Sequence, residues 1–294
     1  MPNRCSICLE GALVEIRPIK SPFISQEYKL YQCNSCRSRS FILNEHADVD
    51  LSSYYDARSE AQEYLSAPFA VSKYWLNEVK LIGSIYGGTP RSVLDVGCRT
   101  GDFLLHWPKD IQRTGVELST HSADIALKRG LDVRRDYLEN VKFSDKFDVV
   151  TAYAILEHLA MPHEFLGQVT GLVNQKGVLV IMIPSYQTLK ANVLEMFNVR
   201  WHMYCPPEHL SLYSREFLDN YLKARGFNLI KRKYTSGGMF NPFHKIPLAR
   251  KVFSKMMREK IRRGELRYKR IFNKSFSILS TGVSTILPIS LPFL

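Results

Sequence analysis

Ser92-Val-Leu-Asp-Val-Gly-Cys-Arg-Thr-Gly-Asp-Phe-Leu104 is an apolar run that breaks into a glycine turn and then opens an amphipathic segment. Val93, Leu94 and Val96 suit a buried strand, with Asp95 near its carboxyl end. Gly97 and Gly101 let backbone come close to a ligand at a helix start, where unpaired N–H groups gather. The stretch predicts a cofactor loop.

A Gly-x-x-x-Gly turn serves any tight strand-to-helix connection, so the order of the strands after it matters more. A second strand, Thr114-Gly-Val-Glu-Leu118, carries Glu117 where a carboxylate can take both hydroxyls of a ribose. A third run ends at Asp136-Tyr137, and Phe147-Asp-Val-Val-Thr-Ala-Tyr153 leads into Leu156-Glu-His-Leu159. Gly177 to Pro184 supplies a fifth strand. Strands alternating with helices predict an α/β fold: a doubly wound, mostly parallel, Rossmann-like sheet with ligands at the carboxyl ends of its strands.

In order and spacing, these motifs resemble the class I S-adenosylmethionine-dependent methyltransferases over residues 91–235. The resemblance implies that Asp95, Gly97 and Gly101 border the methionine part of the cofactor. It also implies that Glu117 holds the ribose and that Asp136 and Tyr137 meet the adenine. A nicotinamide dehydrogenase would need Gly-x-Gly-x-x-Gly, whereas this loop has Gly97, Arg99 and Gly101. The family usually has glycine where Arg99 stands. An outward side chain there preserves cofactor binding; an inward one closes the loop and leaves a non-catalytic scaffold.

Cys5-Ser-Ile-Cys8 and Cys33-Asn-Ser-Cys36 are two Cys-x-x-Cys knuckles separated by strand-like patches. Four thiolates at that spacing suit a structural tetrahedral zinc ion, with no position left for metal catalysis. The predicted organisation is a zinc ribbon over 1–45, a linker and leading helix over 46–90, the core over 91–235, and a basic helix with an apolar tail over 236–294. The tyrosine-rich stretch Ser52–Tyr64 is read as either an approach segment to the site or a packed linker. The leading helix should run from about Val71 to Tyr86 and stop at Gly87-Gly88.

Two histidines are candidate bases. His158 follows the fourth strand at the mouth where a methyl donor would face its acceptor, and a structural His at a helix start is the plainer reading. Some quinone-biosynthesis O-methyltransferases have Glu-x-x-Glu-His here, tied to a metal ion; Ala154 stands where the first Glu would be, which speaks against a catalytic divalent ion. His209 lies in Arg200-Trp-His-Met-Tyr-Cys-Pro-Pro-Glu-His-Leu210, which resembles a segment of methyltransferases from glycan and small-molecule pathways. There His202 can also reach the acceptor, and Trp201 and Tyr204 either stack on it or pack on the sheet. Ser214 should cap the next helix and Gly226 should end it.

With 40 Lys and Arg against 28 Asp and Glu, the chain carries +12, which points to acidic partners. Most of it lies between Lys245 and Lys274, and Ser275–Leu294 has no charge and no visible closing strand. A basic helix and an apolar tail suit attachment to an anionic membrane surface, and a tail packed on the sheet is the alternative. The opening Met-Pro-Asn-Arg-Cys has no apolar signal region, so a cytoplasmic protein, peripheral to the inner face of the membrane, is expected. The resemblance implies methylation, by default on oxygen, of a small molecule, a sugar or a lipid-linked glycan precursor. An RNA methyltransferase is the rival, but nucleic acid is disfavoured because the charge lies away from the ribbon.

Overall fold

The computed structural model describes residues 4–42, 68–235 and 283–290. The chain begins with β1 (Leu13–Lys20), β2 (Glu27–Cys33) and β3 (Arg39–Phe41), followed by helix α1 (Pro68–Tyr86). The core then runs β4 (Ser92–Val96), β5 (Gln112–Val116), α2 (Thr120–Lys128), β6 (Asp132–Arg134), β7 (Phe147–Tyr153), α3 (Pro162–Gly171) and β8 (Val173–Pro184). It ends with α4 (Leu189–Met196), β9 (Ser211–Leu212), α5 (Arg215–Lys223), β10 (Asn228–Thr235) and β11 (Val283–Ser290).

The large sheet has seven strands in the order β10-β11-β8-β7-β4-β5-β6. The pairs from β8 to β6 are parallel. Neighbouring residues of its strands serve opposite faces. Leu94, Val150 and Leu179 join one core, and Val93, Val149 and Val180 join the other. Burial on both sides is why these strands read as continuous apolar runs. Chain order reverses between β4 and β7, and their carboxyl ends open the crevice where such sheets bind ligands. Lys233 of β10 forms an ion pair with the fully buried Glu78 of α1, tying the leading helix to the sheet margin.

The leading helix stops as expected: the Gly87 and Gly88 amides donate to Gly83 O at 3.0 and 3.1 Å. Ser214 caps α5 by accepting from Phe217 N at 3.0 Å.

The tail is where the structure differs. The sequence shows no closing strand in Ser275–Leu294, but β11 pairs antiparallel with both β8 and β10. Residues 283–290 of the apolar half of the expected membrane anchor are therefore a strand of the core sheet. Pro288 hid it, because proline cannot donate to a ladder. The β8 pairing ends at Ile286, so this residue lies beyond that ladder. The basic run Lys245–Lys274 and the stretch Ser52–Tyr64 fall outside the described residues. Among those described, no helix is long and apolar enough to cross a membrane.

A second, four-stranded sheet has the order β1-β2-β3-β9. Its last strand comes from the core, so the N-terminal ribbon is joined to the large domain through a shared sheet. Cys5, Ile7 and Cys33 pack in the same cluster as Phe165, Leu218 and Tyr221.

Candidate functional site

The loop after β4 is pinned to the end of β5. Gly97 N and Cys98 N donate to Val116 O at 2.7 and 3.1 Å. Gly97 and Gly101 have φ of +75° and +79°, a conformation that side chains with a Cβ disfavour. A Cβ on Gly97 would stand 2.1 Å from Ile155 Cδ1, so the turn after β7 lies directly against this loop.

Glu117 is the second anchor. Its two carboxylate oxygens accept from Arg99 N at 2.8 Å and Ser119 N at 2.7 Å. A carboxylate offers about four lone-pair sites, so it can hold these amides and still take a pair of hydroxyls. Burial pushes Glu117 above the usual carboxylate range, opposed by these backbone bonds. Asp95 is also buried and accepts from Thr151 Oγ1 at 2.6 Å. Burial pushes it up to about 7, with Thr151 pulling down and Glu117 adding to the rise. Two poorly solvated acids side by side favour a cationic ligand.

Arg99 adopts φ +51° with its side chain exposed, so it does not fill the loop. Glycine tolerates this conformation better than arginine does, by roughly 1 kcal/mol before glycine's own entropy cost. Arg99→Gly is therefore expected to change stability by less than about 1 kcal/mol and to leave S-adenosylmethionine affinity within twofold. Calorimetric titration checks this, and cofactor binding gained only in the variant would revive the closed-loop scaffold. Asp136 and Tyr137 lie exposed beyond β6, with Asp136 Oδ1 accepting from Tyr137 N and Asn140 Nδ2, both at 2.7 Å. Glu117 N donates to Arg134 O at 3.0 Å, which aligns this rim with the rest of the crevice.

His158 and His209, 51 positions apart, come together with ring centroids 5.0 Å apart. His158 Nδ1 lies 2.7 Å from Glu208 O and His209 Nδ1 lies 3.0 Å from Met203 O. A carbonyl only accepts, so Nδ1 carries the proton in both rings and Nε2 is the basic nitrogen. Glu157 belongs to the same cluster: one ligand atom from each of the three residues lies within 4.8 Å of the others. Its Oε2 is buried without a hydrogen-bond partner among the described residues, and burial pushes the group up to about 8. The sequence placed Glu157 beside His158 but carried no sign of its burial, which raises its carboxyl.

Two residues of the 200–210 segment lie elsewhere than an acceptor platform. Trp201 and Tyr204 are fully buried, and Tyr204 bonds Arg39 of the ribbon and Glu195. They pack rather than stack on a ligand. His202 packs on Trp201 and is pushed down to about 4 by burial and by nearby Lys190 and Arg200.

The four knuckle cysteines form their own centre. Their sulfurs lie within 4.8 Å of one another, with Cys5–Cys36 at 3.9 Å and Cys8–Cys33 at 3.6 Å. Tetrahedral zinc with bonds of about 2.3 Å requires sulfur separations near 3.8 Å, and a disulfide would need about 2.05 Å. Gly11 N and Cys36 N donate to Cys8 Sγ and Cys33 Sγ, both at 3.4 Å, as thiolate ligands favour. The donor set is consistent with zinc.

Comparison with known proteins agrees with this geometry. The methyltransferase domain family matches residues 70–232. The ubiquinone biosynthesis O-methyltransferase of Actinobacillus pleuropneumoniae is 29% identical over 124 residues, covering 38% of this chain and 53% of that protein. The mitochondrial enzyme of the same name from Saccharomyces cerevisiae is 31% identical over 181 residues, covering 52% and 53%. The chain thus spans about half the length of these curated relatives. A solved S-adenosylmethionine-dependent methyltransferase from Clostridium acetobutylicum shares the fold at a TM-score of 0.51 and 14% identity, covering 82% of this chain and 100% of that one. With a family match over more than half of its length and a loop, carboxylate and sheet order to fit, the chain belongs to the S-adenosylmethionine-dependent methyltransferases.

Proposed function

We propose that this methyltransferase transfers its methyl group to a hydroxyl oxygen of a small molecule, a sugar or a lipid-linked glycan precursor, with His158 as general base and His209 beside it. The observation that carries the reading is the histidine pair, whose Nδ1 atoms lie against backbone carbonyls so that the basic Nε2 sides serve the reaction. The contact between Ile155 and the Gly97 loop sets this turn next to the cofactor crevice. The names of the two curated relatives, both O-methyltransferases, point the same way.

In this reading Asp95, Gly97 and Gly101 border the methionine, Glu117 holds the ribose, and Asp136 and Tyr137 meet the adenine. The bound donor supplies a methyl group already activated on a sulfonium. The protein has to align the acceptor oxygen and take its proton. As the oxygen–carbon bond formed and the methyl–sulfur bond broke, leaving a neutral thioether, the hydroxyl proton would pass to His158 Nε2. Glu157, whose carboxyl burial pushes well above the usual carboxylate range, offers the acceptor a hydrogen-bond donor in its protonated form.

Transfer of labelled methyl to a panel of phenols, catechols and sugar nucleotides, with bulk RNA alongside, tests this. His158→Ala is expected to lower kcat by about 10²–10³-fold, while the S-adenosylmethionine dissociation constant stays within twofold. A fully active variant would remove His158 as the base, and label appearing only in RNA would move the acceptor to nucleic acid.

A further inference from the structure

The zinc ribbon and the histidine pair are linked by one short stretch of chain. Ser214 is fully buried and serves both sides. Its hydroxyl donates to Cys36 O at 2.6 Å, its amide donates to Ser38 Oγ at 3.1 Å, and its oxygen also caps α5. Preceding it, β9 pairs with β3 through Arg39–Leu212 and Ser40–Ser211, and Phe41 N donates to Leu210 O at 2.8 Å. The knuckle thus holds one edge of residues 210–214.

The other edge is held by the turn that bears His158. Leu210 N donates to Glu157 O at 2.7 Å, Ser211 Oγ to Leu159 O at 3.0 Å, and Tyr213 OH to Leu156 O at 2.8 Å. His158 Nδ1 meets Glu208 O, one residue before His209. The amides of Gly97, Cys98 and Arg99 instead bond to Val116 and Glu117 at the end of β5, and the side chain of Ile155, at the start of the His158 turn, only packs against this loop.

We propose that the four-cysteine centre is the positioning element for the acceptor side of the active centre: an ordered knuckle, acting through Ser214 and the β3–β9 pairing, holds His209 against His158, and the cofactor loop does not depend on it. This rests on the reading of the two histidines as acceptor-side groups. Ser214 is a positioning residue; nothing places it in contact with a reactant. Metal loading would then set the competence of one half of the site while leaving cofactor affinity unchanged.

Hydrogen exchange read by mass spectrometry on the zinc-loaded full chain tests the link without knowledge of the acceptor. Ser214→Ala, with zinc content measured and retained, is expected to speed exchange of the 205–214 amides at least tenfold. Protection of the 92–118 peptides and the S-adenosylmethionine dissociation constant should stay within twofold of the natural chain. Ser214→Thr, which keeps a hydroxyl donor and cap, should restore protection. Removal of zinc by a chelator should reproduce the alanine pattern. Unchanged 205–214 protection in Ser214→Ala overturns the proposal, as does cofactor affinity lost in a variant that still holds zinc. Inactivity or full activity of His158→Ala bears on the base and leaves this outcome separate.

Discussion

Gly11→Ala is expected to empty the four-cysteine centre, taking zinc content from about one ion per chain to a small fraction of that. A Cβ at this position would stand 2.2 Å from Cys33 Sγ and 2.7 Å from Ser35 Cβ. Neither neighbour can give way: a zinc ligand is fixed by its bond, and a Cβ is fixed by its backbone. The turn must open instead, which also breaks the Gly11 N–Cys8 Sγ bond. Zinc supplies about 10 kcal/mol or more of folding free energy to ribbons of this size, so the effect on the N-terminal unit is large. Metal analysis together with competition by a zinc chromophore reads it. Full zinc at native affinity in the alanine variant would show that the tight turn is not what shapes the knuckle.

Glu117→Ala should weaken S-adenosylmethionine binding by at least about 100-fold, since hydrogen bonds to a charged group contribute about 1.5–3 kcal/mol each. The loss has two parts. Arg99 N and Ser119 N lose their acceptors, so the loop relaxes, and in the proposed binding mode the hydroxyl pair of the ribose loses its carboxylate. Glu117→Gln separates them. It keeps one amide acceptor and the side-chain shape but loses the charge, and about tenfold weaker binding is expected, with little change in melting temperature. Native affinity in the glutamine variant would show that the carboxylate serves the loop alone. Titrations with S-adenosylmethionine and its demethylated product decide between these outcomes.

The core was legible in the sequence because burial on both faces leaves a continuous apolar signature. The strand read at Phe147–Tyr153 matches β7 to the residue, and Glu117 follows β5 as its spacing suggested. What escaped notice depends on partners far away in the chain. The strand β9 is only two residues long and exists because β3 pairs with it, which no local pattern announces. Whether Trp201 and Tyr204 stack on a ligand or pack stayed open in the sequence because composition does not reveal burial; the bond to Tyr204 comes from Arg39, 165 positions away. Each histidine stood out within its own motif, but their contact is a tertiary event.

The position of β11 has a consequence for synthesis. Strand β8 leaves the ribosome before its antiparallel partner exists, and in the finished fold it is Val283–Ser290 that stands between β8 and β10. At about 5–20 residues per second, that strand arrives several seconds after β10 has been made. Throughout this interval the nascent chain displays two open backbone edges of β-forming sequence, the kind of template on which neighbouring chains associate. A chain cut at Gly238 would carry that exposure permanently. Chaperone demand during translation, rather than stability once complete, is where changes in the last strand would first be felt.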